Sequence, residues 1–208
     1  MYQIQNDKKM KTILHISSSP HGENSVSKKL GKAITNQLLD TYPGAIASHL
    51  DLAEDPFPHL DPALVAAIRT RAEDLTDEQR HVLKRSDAAV KDLMDADAIV
   101  IGIPFYNFGI PSVIKAWLDH IIRAGVTFRY GENGPVGLVT GKKIYLAIAS
   151  GGVYSEGPMQ AYDHAVPYLK SVLGFIGLSD FSVVRAEGLG IPSLKDLALQ
   201  KAIAEIEV

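Results

Sequence analysis

Residues 17–27 read SSSPHGENSVS and lie between the apolar run TILHI and a segment with helical spacing. Ser19, Ser25 and Ser27 offer hydroxyls there, and a helix beginning behind them adds backbone N–H groups that have no intrahelical acceptor. Hydroxyls and helix-end amides together solvate a phosphate dianion. The stretch contains no Lys or Arg. It therefore suits a phosphate monoester held permanently better than a phosphoryl group in transfer, which needs cationic clamps or a metal. The same residues would also make an ordinary Ser-rich turn with Ser25 or Asn24 as N-cap.

Two further loops carry unusual residues. PFYNFGIP, 104–111, follows the β-branched run ADAIVIGIP. Rings at an exposed strand end forgo burial unless they cover something flat. Phe105, Tyr106 and Phe108 can wall a planar heterocycle, and Asn107 can read its hydrogen-bonding edge; the same rings would also suit a core or a subunit contact. In ASGGVYSEG, 149–157, Gly151 and Gly152 lack a Cβ and let the backbone approach a ligand, or simply make a tight turn. Tyr154 and Tyr162 could cover the same pocket or pack half-buried.

Other motifs fit poorly. GLGIPS, 188–193, imitates a dinucleotide fingerprint but lies too near the end of the sequence for the rest of such a unit to follow. VGLVTGKK lacks the first Gly and the final Ser/Thr of a Walker loop, and GVYSEG is one residue too long for a nucleophile elbow. The seven His residues show no metal-binding spacing, so no metal site is expected. Cysteine is absent, which excludes disulfides, thiolate metal sites and a cysteine nucleophile.

The elements that must position these loops alternate between apolar runs and amphipathic segments, as in βαβ units. Strands are expected at 11–17, 45–52, 96–104, 143–150 and 181–188. Helices are expected at 25–39, across a charged stretch from 62 to 94 with a start at Thr76, and at 112–123, 158–175 and 193–206. The second strand is poor in apolar residues and suits an edge. The segment 126–137 is an excursion closed by a turn at Glu132, Asn133 and Gly134, where Asn-Gly would supply positive φ. The expected architecture is α/β: a flavodoxin-like doubly wound sheet of five parallel strands, order 2-1-3-4-5, with helices on both faces. A ligand in such a sheet binds at the carboxyl ends of the strands beside the switch point.

The chain has 208 residues, 46% hydrophobic and 22% charged, which suits one domain over 11–208 behind a polar N-terminal extension, 1–10. Met10 offers an alternative start. A formal net charge of -3 without a basic face argues against a nucleic-acid partner. No signal-peptide core or membrane-spanning run is apparent, so a cytoplasmic protein without a membrane partner is expected.

From Met10 almost to the C-terminus the sequence resembles the FMN-dependent NADH azoreductase and quinone reductase family. The matching pieces are SSSP and SVS, PFYNFGIPSVIKAWLDHIIRAGVTFRY, GPVGLVTGKK, ASGG and VLGFIGLSD, in that order. The resemblance implies that Ser19, Ser25, Val26 and Ser27 contact the FMN phosphate. It places Phe105, Tyr106, Asn107 and Phe108 on the isoalloxazine, and Ala149, Ser150, Gly151 and Gly152 by its pyrimidine side. Phe128, Tyr130 and Tyr154 become substrate walls. It further implies a homodimer and ping-pong two-electron hydride transfer from NADH to a quinone or azo compound, with no catalytic side chain because the cofactor carries the chemistry. Two positions depart from the family pattern: Phe105 stands where Met is common, and Ser150 where some members have Arg. The alternative reading is a flavodoxin-type electron carrier for protein partners, which the modest net charge disfavours.

Overall fold

The computed structural model describes residues 10–208; apart from Met10, the expected N-terminal extension lies outside the described residues. Seven strands follow in chain order: β1 (Thr12–Ser17), β2 (Ile46–Asp51), β3 (Ala98–Pro104), β4 (Phe128–Gly131), β5 (Gly134–Gly137), β6 (Lys143–Ala149) and β7 (Asp180–Ala186). The helices are α1 (Val26–Thr41), α2 (Pro62–Arg69), α3 (Asp77–Asp95), α4 (Ser112–Ile121), α5 (Ala165–Phe175) and α6 (Lys195–Ala204). Five strands form one sheet in the order β2-β1-β3-β6-β7, every pair parallel. Strands β4 and β5 form a separate antiparallel pair, so the strands expected fourth and fifth in the sheet are β6 and β7.

Alternating strand residues feed two cores. Ile13, Val100, Tyr145 and Ala147 meet Leu30, Ile34 and Leu38 of α1 and Ala202 of α6. Leu14, Ile16, Ile99, Ile101, Leu146 and Ile148 meet residues of α3, α4 and α5, including Leu93, Trp117 and Leu169. Helices cover both faces, which is why every residue of β3 is buried and its sequence is continuously apolar. Strand β2 lies at the edge, with Ile46 67% exposed.

Several boundaries differ from the sequence expectation. The charged stretch is helical over 62–69 and 77–95 with a break between, and Thr76 opens α3 as expected, in a capping box with Gln79. The segment 158–175 breaks into a 3₁₀ turn, Pro158–Tyr162, and α5, because Asp163 Oδ1 accepts from the amides of Ala165 and Val166 and restarts the helix. Helix α6 starts at Lys195, since Ile191 N and Leu194 N are already committed to turn bonds with Gly188 O and Ile191 O. In the excursion only Gly134 has positive φ, at 112°. Asn133 stays on the negative side, so the glycine closes the β4–β5 turn alone. No helix among the described residues is long and apolar enough to cross a membrane.

His15 of β1 is buried against α1, where a Cβ on Gly31 would stand 2.6 Å from its Nε2. Its ring lies 4.8 Å from that of His49. Burial, followed by His49 and Lys32, pushes its pKa down to about 4 against an upward pull from Asp51. Unfolded His15 gains its proton near pH 6.5, whereas the folded residue stays neutral until about 4. Its contribution is therefore intact above pH 6.5 and is lost as pH falls through that window. Urea titrations at pH 7 and pH 5 should show wild type losing about 2 kcal/mol more than His15→Gln across that step.

Candidate functional site

The carboxyl ends of β1, β3, β6 and β7 deliver four loops to one crevice beside the β1/β3 switch point. A cavity of about 360 Å³ lies among them. Its first wall is Ser19, His21, Asn24, Ser25, Val26 and Ser27; its second is Pro104, Phe105 and Tyr106. Ala149, Ser150 and Gly151 form the third, and Leu189 closes the fourth.

The first wall is built by capping. Ser25 has extended backbone and its Oγ accepts from Lys28 N at 3.3 Å, starting α1 at Val26. Ser25 and Ser27 share a hydroxyl contact of 3.1 Å, and Ser19 Oγ accepts from His21 N at 3.3 Å. The amides of Val26 and Ser27, in the first helical turn, have no carbonyl one turn earlier to receive them. Ser18 Oγ donates to Gly102 O at 2.8 Å and pins this loop to β3. A Cβ on Gly102 would stand 3.0 Å from Ser27 O, so the missing side chain lets the helix start directly against the sheet. Lys28 Nζ meets Asp51 Oδ2 at 2.5 Å, both side chains largely buried. Burial alone would raise the Asp51 pKa, but the Lys28 and Ala53 hydrogen bonds and the Lys28 charge outweigh it and hold the carboxyl below its ordinary value. With Lys28 matched by a carboxylate, this wall offers an anion hydroxyls and helix-end amides.

The second wall turns on strained backbone. Tyr106 and Gly109 exchange backbone hydrogen bonds of 3.3 and 2.9 Å around Asn107 and Phe108, whose φ values are 48° and 67°. Both central residues of this two-residue turn are left-handed; asparagine adopts that region readily, whereas Phe108 does so at a cost of about 1–2 kcal/mol. The turn sends its residues in different directions. Phe105 and Tyr106 line the cavity. Asn107 lines a neighbouring cavity of about 570 Å³ that shares Tyr106. Phe108 lines neither; its ring lies 5.3 Å from that of Tyr162 and 6.3 Å from that of Tyr154.

The third and fourth walls hold each other. Gly188 N donates to Gly152 O, Leu189 N to Ser150 O and Gly190 N to Gly151 O, at 2.9–3.1 Å. The GLG of the false dinucleotide fingerprint is thus a clamp on the third loop. A Cβ on Gly151 would meet Gly190 N at an ordinary 4.0 Å, whereas one on Gly152 would meet the Tyr154 ring at 3.1 Å, so Gly152 serves the tyrosine and not the cavity. Ser150 Oγ donates to Gly152 O at 2.8 Å. Tyr154 stands at the rim, its ring 4.5 Å from that of Phe105.

Two expected substrate walls lie elsewhere in this chain. Phe128 is buried against Phe175, ring centroids 4.5 Å apart, because it is the inward residue of the β4–β5 hairpin. Tyr130 lies edge-on to Phe128 at 5.6 Å between ring centroids and is 75% exposed. Conversely, His21, Asn24, Pro104 and Leu189 line the cavity without having been assigned to a ligand in the sequence. Applying the strand-end rule to the fifth strand of the sheet as well would have found Leu189; nothing in the type or spacing of the other three marks them.

A family model described as flavodoxin-like fold matches residues 11–208. An FMN-dependent NADH:quinone oxidoreductase from Herminiimonas arsenicoxydans is 49% identical over 182 residues, covering 88% of this chain and 89% of that protein. Among solved structures, an azoreductase from Bacillus anthracis superposes with a TM-score of 0.86 at 32% identity, covering 94% of this chain and 96% of that one. An FMN-dependent NADH-azoreductase from the same species, solved in complex with FMN, gives a TM-score of 0.82 at 28% identity over 94% and 97% of the two chains.

The close approach of α1 to β3 sets a test. Gly102→Ala should lower stability by about 1–3 kcal/mol in a urea titration, because the helix start must shift away from the sheet. An unchanged midpoint would mean that the crevice wall is not held by this contact.

Proposed function

The chain belongs to the flavodoxin-like family of these quinone oxidoreductases and azoreductases, and from that membership we propose that it is an FMN-dependent NADH:quinone oxidoreductase that also cleaves azo compounds. The observation that carries this reading is the crevice itself, with a hydroxyl and amide end suited to a phosphate and an aromatic end suited to a flat ring, in one continuous lining. Ser19, Ser25, Val26 and Ser27 hold the FMN phosphate. Phe105 and Tyr106 contact the ring system, with Asn107 meeting it from the neighbouring cavity and Phe108 supporting the turn outside the lining; the backbone of Ala149, Ser150 and Gly151 faces its polar edge, and Gly152 seats Tyr154 behind them. FMN, when bound, supplies the centre that accepts a hydride from NADH and passes two electrons to the acceptor. The chain's own work is to bind, to orient and to exclude water, for which apolar walls suffice.

The same reading makes the chain a homodimer. Tyr106, Phe108 and Tyr162 are exposed rings at the aromatic end of the crevice, and a second copy would cover them. In that assembly the excursion reaches the flavin of the second copy and presents the exposed Tyr130 as a substrate wall, with Phe128 anchoring it to its own core. Light scattering should give about twice the 22.5 kDa chain mass.

The purified protein should be yellow with FMN, bleach under NADH without air and recolour with a quinone. A colourless protein that takes up no added FMN would end this reading. The phosphate contacts have their own test: the double variant Ser25→Ala, Ser27→Ala should weaken FMN binding by roughly 10–100-fold, as expected for lost hydrogen bonds to a charged group. Riboflavin, which lacks the phosphate, should bind wild type and variant alike in fluorescence titrations.

A further inference from the structure

A set of charged side chains behind the aromatic rim takes no part in the crevice described above. Glu187, one residue beyond β7, is 10% exposed and receives three hydrogen bonds from the third loop. Tyr154 N donates to its Oε1 at 2.8 Å, and Ser155 N and Ser155 Oγ donate to its Oε2 at 3.3 and 2.5 Å. Arg185 holds the carboxylate from below at 3.3 Å and reaches Asp163 with its other nitrogen at 2.5 Å. Asp163 in turn caps α5. The next residue, His164, donates its backbone N–H to Phe108 O at 3.1 Å. One arginine therefore joins the backbone that carries Tyr154 to the backbone that carries Tyr162 and steadies Phe108.

The placement is costly unless it serves something. Three ionised groups are largely withdrawn from water, at side-chain exposures of 17%, 8% and 10%. What they fix is a loop, and the fixed atom is the amide of Tyr154 itself. With its backbone tethered, the tyrosine can move only by its side-chain torsions. Its ring rests on Phe105 at a centroid separation of 4.5 Å, which leaves no room for a third ring between them. An acceptor laid on the ring system that Phe105 contacts has to pass the tyrosine, and a flat one displaces its ring by about one aromatic thickness, ~3.5 Å. A guest with out-of-plane bulk must displace it further, and the tether opposes that.

We propose that Glu187, braced by Arg185, is a specificity-determining positioning residue: it holds Tyr154 at the rim beside the ring system that Phe105 contacts, as a wall that admits flat electron acceptors and rejects thick ones. The inference rests on the oxidoreductase reading above. Glu187 acts through Tyr154 and touches no reacting atom.

Glu187→Gln preserves shape but turns one oxygen into a donor that cannot accept the Ser155 amide, and it weakens the bond to Arg185. In the FMN-free full-length protein, hydrogen exchange at the Tyr154 and Ser155 amides should quicken about tenfold or more in this variant. In the FMN-loaded enzyme the preference for a flat naphthoquinone over a benzoquinone bearing two tert-butyl groups should narrow about tenfold, through a lower KM for the hindered acceptor at unchanged kcat. In a Tyr154→Ala background Glu187→Gln should leave that preference where Tyr154→Ala alone puts it, because the wall it holds is gone. Unchanged amide exchange, an unchanged preference, or equal effects of Glu187→Gln with and without Tyr154 would each overturn the proposal. Absence of FMN uptake by wild type would instead fell the oxidoreductase reading, an outcome separate from the exchange measurement.

Discussion

The first turn of α1 lies against β3 with only a hydrogen of Gly102 between Ser27 and the strand, and the polar end of the crevice depends on that contact. It brings the unsatisfied amides of a helix start to the carboxyl end of the central strands. Ser18, bonded to Gly102 O, and Ser25, capping the helix, fix the loop from both sides. The anion-binding character then follows from geometry rather than from cationic side chains, since the nearby Lys28 is held by Asp51. A site of this kind binds a phosphate without presenting an ammonium to it, which fits a phosphate that anchors and does not react.

The aromatic end obeys the opposite economy. Its residues sit on strained or tethered backbone: Asn107 and Phe108 in a left-handed turn, Tyr154 on the carboxylate of Glu187. Strain of this kind persists only where surrounding structure over-determines it. Here the surroundings are the Tyr106–Gly109 pair, the His164 bond to Phe108 O and the Arg185 bridge behind them. Apolar rings at a wet rim gain little from burial, so their positions have to be imposed by the backbone beneath them. The buried sheet can impose them because its two covered faces leave the strand ends as the place where loops emerge.

Much of this was legible along the chain because the controlling signals are local. Continuous apolar runs marked the central strands, the poor second strand marked an edge, and a polar residue before a 3.6-residue apolar repeat marked a cap at Asn24 or Ser25, of which the structure uses Ser25. Three of the loops that meet at the cavity were recognisable as strand ends of unusual composition. Other features depended on partners far away in sequence. Gly188, Leu189 and Gly190 look like a nucleotide fingerprint until they are seen pairing with residues 150–152. Phe128 and Phe105 are both aromatic residues beside strands, yet one is core and the other lines a cavity. The break at Asp163 came from a side chain that caps one helix while paired with Arg185 in a strand.

The sequence by itself determined the alternation of strands and helices, the carboxyl-end loops and the residue types available for a phosphate and a flat ring, because these rest on periodicity and on capping between near neighbours. Tertiary structure alone decided which of those residues face one cavity, that Lys28 belongs to Asp51, and that Arg185 joins Asp163 to Glu187 behind the rim. The reason is physical: a side chain's direction at a turn, and the charge that neutralises a buried ion, are set by packing between segments that only folding brings together.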